Sequence, residues 1–134
     1  MKAFKDRNKK IIDSLKNIPK DISIMAKSHY DSNFTKQGFD GVKWQEVQRR
    51  MIDTKTYKYS SKSSRTRAIL SGKSKRLAKS LYIKSYSMKR IVIQSSSLYA
   101  KYHNYGTIKI PQRKFLGYSK VLNNKILNLL KKLL

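Results

Sequence analysis

The chain has 134 residues and a mass of 15.7 kDa, the usual size of one domain, and only 39% of its residues are hydrophobic. Its 32 Lys and Arg outnumber seven Asp and Glu, for a net charge of +25. All seven acids (Asp6, Asp13, Asp21, Asp31, Asp40, Glu46 and Asp53) lie in residues 1–53, so the 81 residues from 54 to 134 carry 20 basic side chains and no carboxylate.

That distribution excludes several chemistries. The basic part has no carboxylate pair for acid–base work and no acidic metal ligand. Without cysteine there is no disulfide framework, thiolate nucleophile or Cys-ligated zinc site. Two histidines, His29 and His103, are too few for a His-rich metal centre. Residues 1–20 show no signal-peptide-like apolar run, and no stretch of about 18 apolar residues spans a bilayer. The expectation is a non-enzymatic protein of one domain, with no metal and no cofactor.

In chain order, Phe4, Ile11, Ile12, Leu15 and Ile18 recur at helical spacing, and Ile22, Met25 and Ala26 continue the stripe. A helix is expected over 4–30, with Pro19 either kinking it or opening a second one. Residues 31–50 read as an irregular connection marked by Gly38 and Gly41 and anchored by Phe34, Phe39 and Trp44. From Asp53 to Arg67 the chain is rich in Ser, Thr, Lys and Tyr with little to bury, which reads as a mobile basic loop over 54–67. A short helical turn follows at Leu77 and Ala78.

Leu81–Tyr86 and Arg90–Gln94 alternate and pair as an antiparallel hairpin turned near Ser87-Met88. Ser97–Tyr105 reads as a short helix stopped by Gly106, and Thr107–Ile110 as a short strand. Ser119 caps a final helix over 119–134, striped by Leu122, Ile126, Leu129, Leu130 and Leu133. The pattern predicts an α+β fold, with helices packed on one face of a small antiparallel sheet.

A charge of +25 repels itself, so a polyanionic partner is expected: nucleic acid, an anionic membrane or acidic protein neighbours. Lysine predominates and acts as a point charge, so any nucleic-acid contact is expected to be sequence-nonspecific and salt-dependent. The leucine- and lysine-rich final helix reads as a packed element, so no membrane partner is expected.

Three constellations exceed what composition explains. The first is Phe34, Gly38, Gly41 and Trp44; the second is Ile69, Leu70 and Gly72, then Leu77. The third runs Tyr99, Ala100, Tyr102, His103, Asn104, Gly106, then Ile110, Pro111, Arg113, Phe115, Leu116 and Gly117. In order and spacing, over residues 22–134, they resemble the phage virion morphogenesis, or tail-completion, family of tailed bacteriophages. Gly72 stands five residues before Leu77, wider than that pattern.

The resemblance implies a non-enzymatic structural protein of the head–tail junction with helices against a curved antiparallel sheet. It also implies a ring, often sixfold, contacting neighbouring neck or tail proteins and possible DNA in the neck channel. Its expected place is the neck of the virion, with host cytoplasm during assembly.

On the residues themselves, 111–117 reads as a rigid turn presenting Phe115 and Leu116 to the core. Arg113 is then an inter-subunit or intra-turn donor. His103 reads as a structural histidine bonded to a carbonyl near Gly106, and Trp44 as a core or interface anchor. Tyr82, Tyr86, Tyr99, Tyr102 and Tyr105 read as half-buried packing. Lys55, Lys58, Lys62, Arg65 and Arg67 are the candidate partner-contacting residues, in a segment expected to order on a neighbour. The alternative to a virion role is a sequence-nonspecific nucleic-acid-binding protein.

Overall fold

The computed structural model describes residues 1–72 and 74–133; Lys73 of the 72–77 segment and Leu134 of the expected 119–134 helix lie outside them. The order is α1 (Lys2–Lys36), β1 (Gly38–Phe39), β2 (Val42–Lys43), α2 (Lys55–Tyr59), α3 (Lys62–Thr66), β3 (Leu81–Tyr86), β4 (Ile91–Ser95), α4 (Ala100–Tyr105) and α5 (Lys120–Leu133). Single 3-10 turns stand at Gln48–Arg50 and Ala78–Ser80. The fold is α+β, as expected, and its strands form two separate two-stranded antiparallel hairpins.

Helix α1 runs unbroken through Pro19 and on to Lys36, where a break near residue 19 and an end near 30 were expected. An interior proline costs about 3 kcal/mol through a lost hydrogen bond and a ring clash. Packing outweighs that cost: Ile18 and Pro19 are buried, and the C-terminal half of α1 lies across β3 and β4. The extension beyond residue 30 follows from Asn33 and Phe34, which are also buried.

The helix stops at Gln37, whose left-handed backbone (φ 51°, ψ 47°) turns the chain and whose N–H bonds the Asn33 carbonyl. The Gln37 side-chain oxygen then accepts from Ile69 N at 2.8 Å and from an Arg50 Nη at 3.1 Å. Residues 38–43 form a tight hairpin rather than an irregular connection, with Asp40-Gly41 at its turn and Gly38 paired to Lys43. A Cβ at Gly38 would sit 2.6 Å from the Val42 carbonyl oxygen, so glycine is required there by close approach. Trp44 N closes the unit on the Gln37 carbonyl at 2.8 Å.

The β3–β4 hairpin pairs Leu81 with Ser95, Ile83 with Ile93 and Tyr86 with Ile91, leaving Lys84 as an extra residue on β3. Ser87 and Arg90 close its turn. Two expectations change nearby. The helix expected over 97–105 is confined to Ala100–Tyr105. Residues 107–110 form a turn instead of a strand, because the Thr107 hydroxyl accepts the N–H groups of Lys109 and Ile110.

The segment expected to be mobile, 54–67, holds two helical turns. Thr54 caps α2 by accepting Tyr57 N, and Ser61 caps α3 by accepting Ser64 N, both at 3.2 Å. The buried core gathers Phe34, Trp44, Ile69, Leu77, Leu81, Ala100 and Phe115, fringed by Tyr30, Val47, Leu70, Ala78 and Leu116.

Candidate functional site

Residues 113–117 have no strand partner, yet Phe115 is 1% exposed. Buried backbone groups must find partners, and here side chains from distant elements supply them. Trp44 Nε1 donates to the Lys114 carbonyl at 2.8 Å, and Asn33 Nδ2 to the Phe115 carbonyl at 3.0 Å. Asn104 accepts Phe115 N and Leu116 N on its Oδ1 at 2.9 and 3.0 Å, and donates Nδ2 to the Leu116 carbonyl at 2.9 Å. Its amide thus stands in for a neighbouring strand. Tyr30 Oη donates to the Gly117 carbonyl at 2.8 Å, and Arg113 N to the His103 carbonyl at 2.8 Å. The Phe34, Trp44 and Phe115 rings pack beneath, with Phe34 centroids 5.8 and 5.1 Å from the other two.

Arg113 is buried and reaches away from its own turn. Its Nε donates to the Gln45 carbonyl at 2.9 Å and an Nη to the Glu46 carbonyl at 3.3 Å, fastening the chain just after Trp44. It therefore does not make the intra-turn bond that was one of the two roles expected of it. Gly106 ends α4 with φ +75° and lies so close to Gln112 that a Cβ would meet Gln112 N at 2.9 Å. Pro111 is half-buried beside it.

His103 departs from its expected bond to a carbonyl near Gly106. Its Nδ1 is buried without a partner among the described residues, and the ring meets Tyr99 edge-on at 6.1 Å. Burial, then the Arg113 charge, pushes its pKa below 6.5. Gly72 is exposed in open space with nothing that demands glycine. Ile69, Leu77 and Ala100 are core residues, while Leu70 turns the chain with φ 57°. Tyr82, Tyr86, Tyr99 and Tyr102 are about half-buried, as expected, whereas Tyr105 is 75% exposed.

A second cluster joins α1, the β1–β2 turn and α5. The Ser119 hydroxyl donates to Asp40 Oδ1, accepts Leu122 N at 3.1 Å and lies 3.1 Å from His29 Nε2. Because its hydrogen goes to Asp40, His29 must be the donor at Nε2, leaving Nδ1 to accept from Lys125 Nζ at 3.4 Å. Asp40 Oδ2 also takes Lys120 N at 2.9 Å, at the positive end of α5. Burial and then the Lys125 charge hold the His29 pKa below 6.5, Asp40 opposing them. Ser, His and Asp meet here as a helix cap: Ser119 is 2% exposed and its hydroxyl is already engaged.

Around α2 and α3 the arginines act as braces. Arg49 donates to the carbonyls of Ser64, Arg67 and Ala68 at 2.9, 3.2 and 2.9 Å. Arg65 forks onto the Tyr57 carbonyl at 2.9 and 2.6 Å with its guanidinium 4.0 Å over the Tyr57 ring. Arg67 bonds Ser64 Oγ at 2.9 Å. Of the five residues expected to contact a partner, Lys55, Lys58 and Lys62 are exposed, whereas Arg65 and Arg67 are half-buried and engaged internally. No group of three or more His, Cys, Asp or Glu that could hold a metal occurs among the described residues.

Sequence reasoning missed Asn33, His29 and Arg49, and it placed Asn104 in a motif without giving it a role. The signals were present: His29 and Asn33 fall on the buried face of α1 with Ala26, where a polar residue implies a partner. Arginine is used eight times against 24 lysines, and five arginines (49, 50, 65, 67 and 113) spend their planar forks inside the fold.

These cradled motif residues are the ones on which the family resemblance rests, and a sequence model of the phage virion morphogenesis family matches residues 4–134. The chain belongs to that family. Membership carries a structural role in phage virion assembly. No curated protein and no solved structure was found to match. For this virion morphogenesis protein, the buried cradle is the framework of the fold, and α1's first half and Lys55, Lys58 and Lys62 stand exposed.

Proposed function

We propose that this protein acts at the phage head–tail junction as a tail-completion or neck ring, sixfold in copy number, and that it works by shape and contact without catalysis. The observation that carries the reading is the first half of α1. Residues 1–17 are all exposed, so about 24 Å of helix stands with no side of it buried. Phe4, Ile11, Ile12 and Leu15 nevertheless keep their helical spacing there, at 69, 50, 50 and 42% exposure. Each such side chain yields about 1.5–3 kcal/mol when buried, so this stripe favours association between copies. The 111–117 turn, by contrast, is engaged within the chain, through Trp44, Asn33 and Asn104.

Two measurements test the proposal. Sedimentation of the purified chain is expected to show a closed oligomer, and Ile11→Asp with Leu15→Asp is expected to release folded monomer. Electron microscopy of lysates from a phage with a stop codon in this gene is expected to show filled heads beside unjoined or irregular tails. Normal virions from that phage would sink the junction role, and a chain that stays monomeric at all concentrations would sink the ring.

A further inference from the structure

The run from Arg49 to Arg67 holds seven basic residues and one acid, Asp53. A solvated basic loop would keep these charges apart. Here caps at Thr54 and Ser61 and the braces of Arg49 and Arg65 fix α2 and α3 in place. The braces also concentrate charge. Arg49 feels Arg67, Arg50 and Arg113 as repulsive neighbours, burial and these cations together lowering its pKa, against the single opposing carboxylate of Glu46. Arg67 Nε remains buried without an acceptor among the described residues. Outward, Lys55 and Lys58 lie three apart on α2, hence on one side of it, and Lys62 opens α3. Their ammonium groups form no ion pair among the described residues, and Tyr59 beside them is 89% exposed.

We propose that the α2–α3 platform is a preformed nucleic-acid-binding face. Lys55, Lys58 and Lys62 meet phosphates along a backbone, Tyr59 lies against the sugar–base edge, and the arginine cluster behind them supplies attractive potential. Three exposed point charges on a braced support, with one carboxylate for seven cations, suit a polyphosphate, which offers repeated charge and no pocket. Such a face reads no base sequence, because lysine ammonium groups at phosphates position without specifying. Its ordered state means that binding carries little folding penalty, unlike a loop that must order on contact. The inference concerns the isolated chain and stands whether or not the protein forms a ring.

The test is fluorescence anisotropy of a fluorescein-labelled 24-base-pair duplex of arbitrary sequence, titrated with the full chain between about 50 and 200 mM salt. Binding is expected with a steep salt slope. Lys55→Gln, Lys58→Gln and Lys62→Gln together are expected to reduce that slope by about 2.7, from roughly 0.9 per phosphate contact, and to leave the thermal midpoint unchanged. The control removes the same charge from elsewhere on the surface with Lys84→Gln, Lys89→Gln and Lys132→Gln and is expected to keep the slope. Equal loss from both triple variants would overturn the assignment, since net charge alone would explain it. Failure to bind the duplex at 50 mM salt would overturn it, as would tighter binding of labelled poly-L-glutamate than of the duplex.

Discussion

Asn104 is the position at which the cradle can be broken most cleanly. Replacing it with leucine keeps the volume and removes three hydrogen bonds at once. The Phe115 and Leu116 N–H groups and the Leu116 carbonyl are then left without partners beside a ring that is 1% exposed. A buried orphaned group costs about 1–3 kcal/mol, so the sum is about 3–6 kcal/mol after allowing water to reach Leu116, which is only partly buried. Against a typical stability of about 5–15 kcal/mol, that is a large share. The assay is built into the molecule. Trp44 is the only tryptophan, and its Nε1 donates to Lys114, next to the broken segment. Urea titration followed by tryptophan fluorescence is expected to lose most of its native baseline, with a thermal midpoint lower by about 10 °C or more. A loss below about 1 kcal/mol would show that the Asn104 amide is dispensable and that apolar packing alone holds residues 113–117.

Two further predictions rest on the charged groups. His29 and His103 both have folded pKa values below 6.5, so the folded state binds fewer protons than the unfolded one. Their contribution is complete above about pH 6.5 and is lost as pH falls through the folded values. The urea midpoint is expected to drop between pH 7 and pH 5, with His29→Gln flattening the drop, and equal midpoints at the two pH values would refute this. Arg49→Lys keeps the charge but lacks the fork that reaches three carbonyls, so hydrogen exchange at residues 55–67 is expected to rise at least about tenfold while the β3–β4 hairpin stays protected. Unchanged exchange at 55–67 would mean that the caps suffice.

Much of the fold is written locally. The Leu81–Tyr86 and Ile91–Ser95 alternation needs only a count of two, and α5 follows from its leucine stripe with Ser119 at its start. The α2–α3 platform was not legible because neither helix has an apolar face; both are held by arginines, one of them outside the segment. Thr107–Ile110 looked extended because its β-branched residues mask a hydroxyl that captures two amides. Pro19 was overruled by packing that no local rule contains. Within the site, Phe34, Trp44 and Phe115 were recognisable as anchors from their size. Their polar companions were not, since a bond from Trp44 to Lys114 spans 70 residues and leaves no periodic trace.

That span has a consequence for how the subunit comes into being. Helix α1 is synthesised early, but Asn33, His29 and Tyr30 bond to Phe115, Ser119 and Gly117, 82 to 90 residues later. Until those residues leave the ribosome, α1 can pack on β3 and β4, but Asn33, His29 and Tyr30 lack their partners, and the first-half stripe stands uncovered on the same helix. Contacts of such sequence separation form slowly and late. The cradle therefore closes last, and the Phe4, Ile11, Ile12 and Leu15 stripe is exposed throughout translation, before the rest of the fold is complete.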